Sequence, residues 1–233
     1  MELGEIISDA ATYPSSNWIK VIILGVIIII AALLSPFIIG IIPAIFAMGY
    51  IFRILKASIA GVTELPEFDE WGEMFIDGLK VFVAEIVYLI IPVIIIMAGT
   101  WTAMVSMMQV VGPSVSPTGA FGLIGGVALL GVLLMLIIGA ILVIAITNMA
   151  YYNGDLGAAF RFSEILGIIA KIGWGNYIIW YIVMIIIAFI VSLVAGVLAM
   201  IPILGWIIGL VIIYPYFAMF MARSAALIYT TGR

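Results

Sequence analysis

Six long apolar stretches limit how this chain can fold. Because roughly 20 helical residues cross a lipid core about 30 Å thick, runs of this length predict transmembrane helices. Hydrophobic residues make up 67% of the chain and charged residues 9%, which is far from the balance of a soluble domain. The sequence therefore predicts an all-α, polytopic integral membrane helical bundle forming a single domain, 1–233, with spans at about 18–34, 37–56, 79–107, 121–152, 177–200 and 203–226.

The six spans are predicted to pair as three helical hairpins. Ser35-Pro36 and Ile201-Pro202 leave almost no linker between neighbouring apolar runs, so the chain must turn back sharply at both places. The segment 109–120 is rich in Gly, Pro and Ser and is the only outer loop of any length in this arrangement. We therefore expect no sizeable domain on the outer side.

The distribution of positive charge predicts the topology. All eight Lys and Arg residues fall on one side of the six-span arrangement, and the positive-inside rule makes that side cytoplasmic. We therefore expect a multi-pass protein of the cell membrane whose N- and C-termini are both cytoplasmic. The first twenty residues are acidic and polar, so no removable signal peptide is expected.

Two cytoplasmic segments are too polar to span a membrane but have helical periodicity. In 66–78, Trp71, Met74 and Phe75 share one helical face and acidic residues occupy the other. In 155–172, Asp155 is positioned as an N-cap before a stripe of apolar residues. Both segments are predicted to be amphipathic helices lying along the membrane surface.

The composition lacks two residue types that carry much of enzyme chemistry. The chain contains no cysteine and no histidine, which removes thiolate nucleophiles, imidazole bases and the usual zinc, copper and haem ligands. The net charge of −4 comes with no basic stripe and no glycine-rich phosphate loop. We therefore expect no enzymatic activity, no cofactor, no metal and no nucleic-acid partner.

Five short motifs are spread over nearly the whole chain. They read Gly49-Tyr50-x-x-Arg53, Leu65-Pro66-x-Phe68-Asp69-x-Trp71-Gly72, Phe75-x-Asp77-Gly78-Leu79-Lys80, Asp155-Leu156-Gly157-Ala158-Ala159-Phe160-Arg161-Phe162 and Ile201-Pro202-Ile203-Leu204-Gly205-Trp206. This set resembles an archaeal membrane protein family catalogued as domain of unknown function family 4013. The resemblance implies a multi-span fold and a methanogen-type lineage, with a distant similarity to the membrane part of glycerophosphodiester phosphodiesterases. It implies no activity and no catalytic residue.

Glu85 is the one carboxylate placed inside a predicted span. It lies five residues beyond Lys80, which is about 7 to 8 Å deeper at helical rise, and Arg53 on the preceding span reaches nearly the same depth. An ionised carboxylate at that depth is costly unless it is paired or hydrated. We therefore predict an ion pair between Glu85 and Arg53. The alternatives are a proton or ion pathway and a carboxylate that reaches back to solvent.

The segment 64–80 carries six acids, among them Glu70, Glu73 and Asp77 on one helical face. We interpret this acidic face as a solvated surface near a helix N-terminus, where the helix dipole favours negative charge. Binding of Mg²⁺ or Ca²⁺ is the alternative, although the ligand order of an EF-hand is absent.

Two pairs of glycines are spaced for close helix packing, Gly122 with Gly126 and Gly205 with Gly209. Such pairs indicate either packing within the bundle or a subunit interface. The partners that we expect are therefore membrane lipids, together with a second copy of the chain or a larger membrane complex if the pairs form an interface.

Two functional classes remain open from the sequence. A non-enzymatic structural, assembly or self-associating membrane component fits the sparse polar content. A transporter or channel for a small or lipidic solute is the alternative, suggested by Glu85, the prolines inside spans and the Thr147-Asn148 pair. The span centres are almost wholly apolar, which argues against a hydrophilic solute but not against a lipid.

Overall fold

The computed structural model describes the backbone of residues 2–109 and 117–233, and the side chains of residues 2–101, 105 and 126–233. This part of the chain is helical and contains no strand, which confirms the predicted all-α class. Six of its helices are long and apolar enough to cross a membrane, as the sequence predicted. They are Trp18–Phe37, Ile41–Ile59, Trp71–Trp101, Gly126–Tyr151, Trp174–Leu198 and Leu204–Thr230.

Shorter helices precede, connect and interrupt these spans. The α-helices in chain order are α1 (Leu3–Thr12), α2 (Trp18–Leu34), α3 (Ile41–Ile59), α4 (Trp71–Gln109), α5 (Pro117–Tyr151), α6 (Phe162–Ile172), α7 (Trp174–Leu198), α8 (Leu204–Ile208) and α9 (Tyr214–Thr230). A π-helical segment, Gly209–Ile213, joins α8 to α9 just before Pro215. Because proline has no backbone N–H, a local widening of the helix is expected at this point.

The chain divides into two compact units. The first consists of Met1–Val83 and Val143–Arg233, and the second is Ala84–Leu142. In the core of the first unit, α9 packs against α1, α2 and α3. Its centre includes Trp180, whose indole Nε1 donates to the Ser224 hydroxyl oxygen over 2.8 Å. In the second unit α4 and α5 approach closely where Gly99 meets Val127 and Gly131 meets Ile96.

The acidic N-terminal segment forms a helix that the sequence interpretation had not included. A reciprocal capping box between Glu2 and Glu5 starts α1. Ile6 and Ala10 on one stripe of α1 are buried, and the helix packs against α9. Two features of the sequence could have predicted this helix. Glu2 and Glu5 have the three-residue spacing of a capping box, and apolar residues such as Ile6 and Ala10 lie four residues apart.

The predicted separate helix at 66–78 is wrong. Residues 66–70 are not helical, and α4 runs from Trp71 without a break into the third span. No helix-breaking proline lies between Trp71 and the apolar run, so backbone hydrogen bonding continues although the side chains change from acidic to apolar. The helix therefore begins at Trp71, before the apolar stretch that was predicted to begin the span at residue 79.

The second predicted amphipathic segment, 155–172, is a separate element. A 3₁₀ turn, Leu156–Phe160, is capped by the Asp155 carboxylate, which accepts from the Gly157 N–H over 3.0 Å and so confirms its capping role. The helix α6 follows, and Gly173 ends it with φ of 91°. The location of α6 along a membrane surface stays a prediction.

Candidate functional site

The loop between α3 and α4, residues 61–70, is held by side chains from four different parts of the first unit. Six backbone carbonyls of this loop accept hydrogen bonds from tyrosine, lysine or arginine side chains. Val62 accepts from Arg223 (2.9 Å), Glu64 from Tyr13 (3.0 Å), Leu65 from Lys20 (2.7 Å), Pro66 from Tyr50 (3.0 Å), and Glu67 and Asp69 from Arg53 (3.1 and 2.9 Å). We call this segment the clamped loop.

Aromatic contacts reinforce the clamped loop. The ring of Phe68 stacks on Tyr50 with centroids 3.7 Å apart. The Arg223 guanidinium stacks over the ring of Tyr13, with its Cζ 4.8 Å from the ring centroid. Burial raises the pKa of Tyr13, so its hydroxyl stays protonated and keeps donating to the Glu64 carbonyl.

Arg53 belongs to α3, and its side chain hydrogen-bonds to the last residues of the clamped loop. Its guanidinium contacts the Asp69 carboxylate and lies 3.6 Å from the Glu70 carboxylate. Glu85 is half-buried in α4 and belongs to the second unit. In the sequence of that unit, residues 84–142, Glu85 is the only charged residue. The ion pair between Arg53 and Glu85 therefore stays a prediction, and these contacts give it no support.

The acidic face differs from the expectation at one of its three positions. Glu70 and Glu73 are exposed, in keeping with a solvated surface. Asp77 is 5% exposed and lies between two lysines, 2.6 Å from Lys56 Nζ and 3.3 Å from Lys80 Nζ. The prediction that Asp77 is solvated is wrong, because α3 packs against this face of α4 and brings the Lys56 ammonium to the carboxylate.

The members of the two predicted glycine pairs differ in how closely they approach other residues. The side-chain position of Gly122 lies outside the described residues, and a Cβ on Gly126 would meet nothing within 4 Å. A Cβ on Gly205 in α8 would run into the Leu198 carbonyl at the end of α7, whereas the nearest atom to a Cβ on Gly209 is in the Tyr214 ring, 3.8 Å away. Among the described residues of these pairs, Gly205 is the one that lets two helices approach closely, α7 and α8 at the turn that joins them.

Three other glycines allow helices of the first unit to touch. A Cβ on Gly49 would run into the Met74 carbonyl, and one on Gly78 would run into the Ile45 carbonyl, so α3 and α4 cross at these two residues. Gly25 is equally close to the backbone of Val211. These residues lack a Gly-x-x-x-Gly spacing on their own helices, and pairing across helices cannot be found from one helix alone.

A second polar cluster surrounds the side chain of Arg233. The guanidinium donates to Asn148 Oδ1 over 3.0 Å and pairs with the Glu164 carboxylate, while its Nε lies 3.0 Å from the Tyr229 hydroxyl. Its Cζ is 4.0 Å from the ring centroid of Tyr151. The ring centroids of Tyr152 and Tyr229 lie at 5.4 and 5.7 Å. We call this group the Arg233 cage.

A groove with a volume of about 440 Å³ opens beside the last span. Its walls are apolar or aromatic, and the one hydroxyl among them, on Tyr216, donates to the Ala11 carbonyl over 2.6 Å. The lining residues come from α1, α2, α7, the π-helical segment and α9: Ile7, Ala11, Trp18, Ile187, Val191, Ile212, Ile213, Tyr216, Phe217 and Phe220. Such a surface offers an apolar ligand area but no directed polar contact.

These arrangements join separate segments of the first unit through hydrogen bonds and ion pairs. In the described part of the first unit, the charged side chains that are buried form ion pairs or donate to backbone carbonyls. The chemistry available is hydrogen bonding, ion pairing and cation–aromatic attraction.

The chain matches a known protein family. The family described as "Protein of unknown function (DUF4013)" matches residues 35–200, which is more than half of the chain and includes the clamped loop and most of the Arg233 cage. No curated protein and no solved structure matches. The chain therefore belongs to the DUF4013 family, in agreement with the motifs that resembled it.

Proposed function

We propose that this protein is a non-enzymatic structural component of the membrane that associates with further copies of itself. The observation that carries the proposal is the use of its buried charges. Lys20, Asp77 and Arg223 join helices to one another or to the clamped loop. Groups used in this way rigidify a scaffold, whereas a pathway for a polar solute needs polar groups that a solute can reach.

The apolar outer faces of the spans support self-association. In the helix Trp174–Leu198, only 17% of the most apolar stretch is buried within the chain. The remaining surface must meet lipid tails or another protein, and close packing between helices is favoured when their surfaces fit. Large side chains such as Ile186, Phe189 and Leu193 are exposed on this helix.

The proposed setting is the cell membrane of an archaeon, with both termini in the cytoplasm. The family resemblance supports the lineage. The charge distribution supports the orientation, because the eight Lys and Arg residues lie on one side of the six spans.

Cysteine cross-linking in native membranes tests self-association cleanly because the chain has no cysteine. We expect Ile186→Cys, Phe189→Cys or Leu193→Cys to give a covalent dimer under mild oxidation, at the face where two copies meet. Met184→Cys on the same helix is the matched control, because Met184 is 1% exposed and its thiol should not cross-link. Native mass spectrometry of the unmodified protein should show a defined oligomer.

If none of these three cysteine variants forms a cross-link and native mass spectrometry shows a monomer, self-association through α7 is rejected. Cross-linking of Met184→Cys as strongly as the exposed variants would show random collision or unfolding and would also count against it.

A second candidate is the handling of a lipidic solute, and the apolar groove favours it. A volume of about 440 Å³ is within the range of small-molecule sites, and the walls suit a hydrocarbon chain. A monomer that retains one type of lipid in native mass spectrometry would support this candidate. Loss of that lipid on Ala11→Trp, which fills the groove from α1, would locate it.

A further inference from the structure

The Arg233 cage combines the features by which proteins recognise a guanidinium group. A carboxylate from Glu164 supplies the opposite charge, Asn148 and Tyr229 supply neutral oxygens, and tyrosine rings surround the cation. Charge-assisted hydrogen bonds and aromatic faces are the strong contacts available to arginine. These contacts suit a planar cation better than a neutral polar group.

The cage walls are held in place by bonds that do not involve Arg233. The Asn148 amide donates to the Ala158 carbonyl over 3.0 Å, and the Tyr229 hydroxyl donates to Asn148 Oδ1 over 2.6 Å. The Tyr152 hydroxyl donates to the Glu164 carboxylate over 2.8 Å. These bonds hold Asn148, Tyr152, Glu164 and Tyr229 without help from Arg233, which lowers the cost of binding a cation.

The cage is also accessible. Asn148 and Tyr229 form a buried floor, whereas Tyr151 at the rim is 45% exposed. Arg233 follows the end of α9 at Thr230, and its side chain fills the cage, whereas Tyr229 in the last turn of α9 forms part of the wall. The bonds among the wall residues do not use Arg233, and Arg161, 4.4 Å from the Tyr152 ring centroid and 3.8 Å from the Glu164 carboxylate, is the cation that stays beside the cage when Arg233 is removed.

We propose that the cage formed by Asn148, Tyr151, Tyr152, Glu164 and Tyr229 is a guanidinium-binding site that accepts an arginine-like cation from another molecule in exchange for Arg233. Arg233 is its internal occupant and competes with that cation. The ligand class is a guanidinium group, carried either by a small metabolite or by an arginine of a protein. This inference does not depend on the proposed structural role.

Titration of the full chain with methylguanidinium tests the site. Arg233→Ala in detergent micelles should bind methylguanidinium, detected by calorimetry and as a rise in melting temperature. Wild type should bind at least about tenfold more weakly, because its tethered Arg233 is present at a high effective concentration. Methylammonium, which lacks the planar fork, should bind Arg233→Ala at least about tenfold more weakly than methylguanidinium does.

Glu164 provides the decisive control. Arg233→Ala combined with Glu164→Gln should lose affinity at least about tenfold, because the charged acceptor is gone. Arg233→Ala combined with Glu73→Gln, an exposed carboxylate outside the cage, should bind as Arg233→Ala does. If Arg233→Ala does not fold, Arg233→Lys replaces it in the same series, since it keeps the charge but lacks the fork.

A folded Arg233 variant that does not bind methylguanidinium overturns the proposal, as does equal binding by the Glu164→Gln double variant. A parallel titration with the peptide Gly-Arg-Gly identifies the source of the cation. Binding of both probes supports the site with a protein arginine as ligand, and binding of methylguanidinium alone supports it with a small metabolite.

Discussion

Arg223 in the last helix and Asp9 in the first are joined by an ion pair across 214 residues of sequence, with 2.7 Å between Nε and Oδ1. The Arg223 side chain is almost fully buried and also donates to the Val62 carbonyl. One guanidinium therefore ties α1, α9 and the clamped loop together. Removing the Asp9 carboxylate leaves the buried guanidinium with the Val62 carbonyl and the Tyr13 ring, neither of which carries a charge.

We expect Asp9→Asn to lower the free energy of unfolding by about 1–3 kcal/mol, because Arg223 stays buried without a counter-charge. Thermal unfolding in detergent micelles, followed by tryptophan fluorescence, measures this loss. Glu64→Gln is the control, since Glu64 is exposed and has no ion pair within the described residues. An equal effect of the two variants would show that net charge, and not the pair, is responsible.

Asp77→Asn should destabilise the protein by about 3 kcal/mol, because it leaves the ammonium groups of Lys56 and Lys80 beside a neutral amide in a buried place. Glu73→Gln should cost less than about 1 kcal/mol, since Glu73 is exposed and 3.4 Å from Lys56 Nζ. Denaturant unfolding of both variants compares them directly. A larger effect at Glu73 than at Asp77 would contradict the buried pair.

Gly78→Ala should destabilise by about 1–3 kcal/mol or prevent folding, because the added methyl collides with the Ile45 carbonyl of α3. Gly72→Ala, six residues earlier on α4, should be neutral or stabilising by at most about 1 kcal/mol, since a Cβ there meets nothing within 4 Å. Yield of folded protein and melting temperature report the difference. Tolerance of alanine at Gly78 would mean that α3 and α4 do not cross there.

Stability should fall on acidification through Glu164. Partial burial raises the pKa of this carboxyl, but hydrogen bonds from Tyr152 and Arg233 outweigh that effect and hold the pKa below 4.5. A carboxylate with a lowered pKa stabilises the folded state above pH 4.5, and that stability is lost as the pH falls through the lower folded-state value. Melting temperatures between pH 7 and pH 3 should therefore drop less in Glu164→Gln than in wild type. Parallel curves for the two proteins would show that Glu164 is not stabilising.

The sequence was sufficient for features that depend on the solvent and on local hydrogen bonding. The six spans and the cap at Asp155 follow from apolar length and from a carboxylate placed before a turn. The start of α4 at Trp71 was missed because helical hydrogen bonds continue across a change from acidic to apolar side chains. The burial of Asp77 was missed for another reason, since it depends on which residue of α3 lies opposite.

Length and hydropathy by themselves determined that this chain forms apolar membrane-type helices, because lipid leaves no other way to satisfy backbone polar groups. The tertiary structure alone decided the partners of the charged and aromatic side chains. Asp9 meets Arg223, and Gly49 meets Met74, through packing between segments that are distant in sequence or on different helices. Such contacts depend on helix rotation and crossing, which the nearly uniform apolar faces of the spans do not encode.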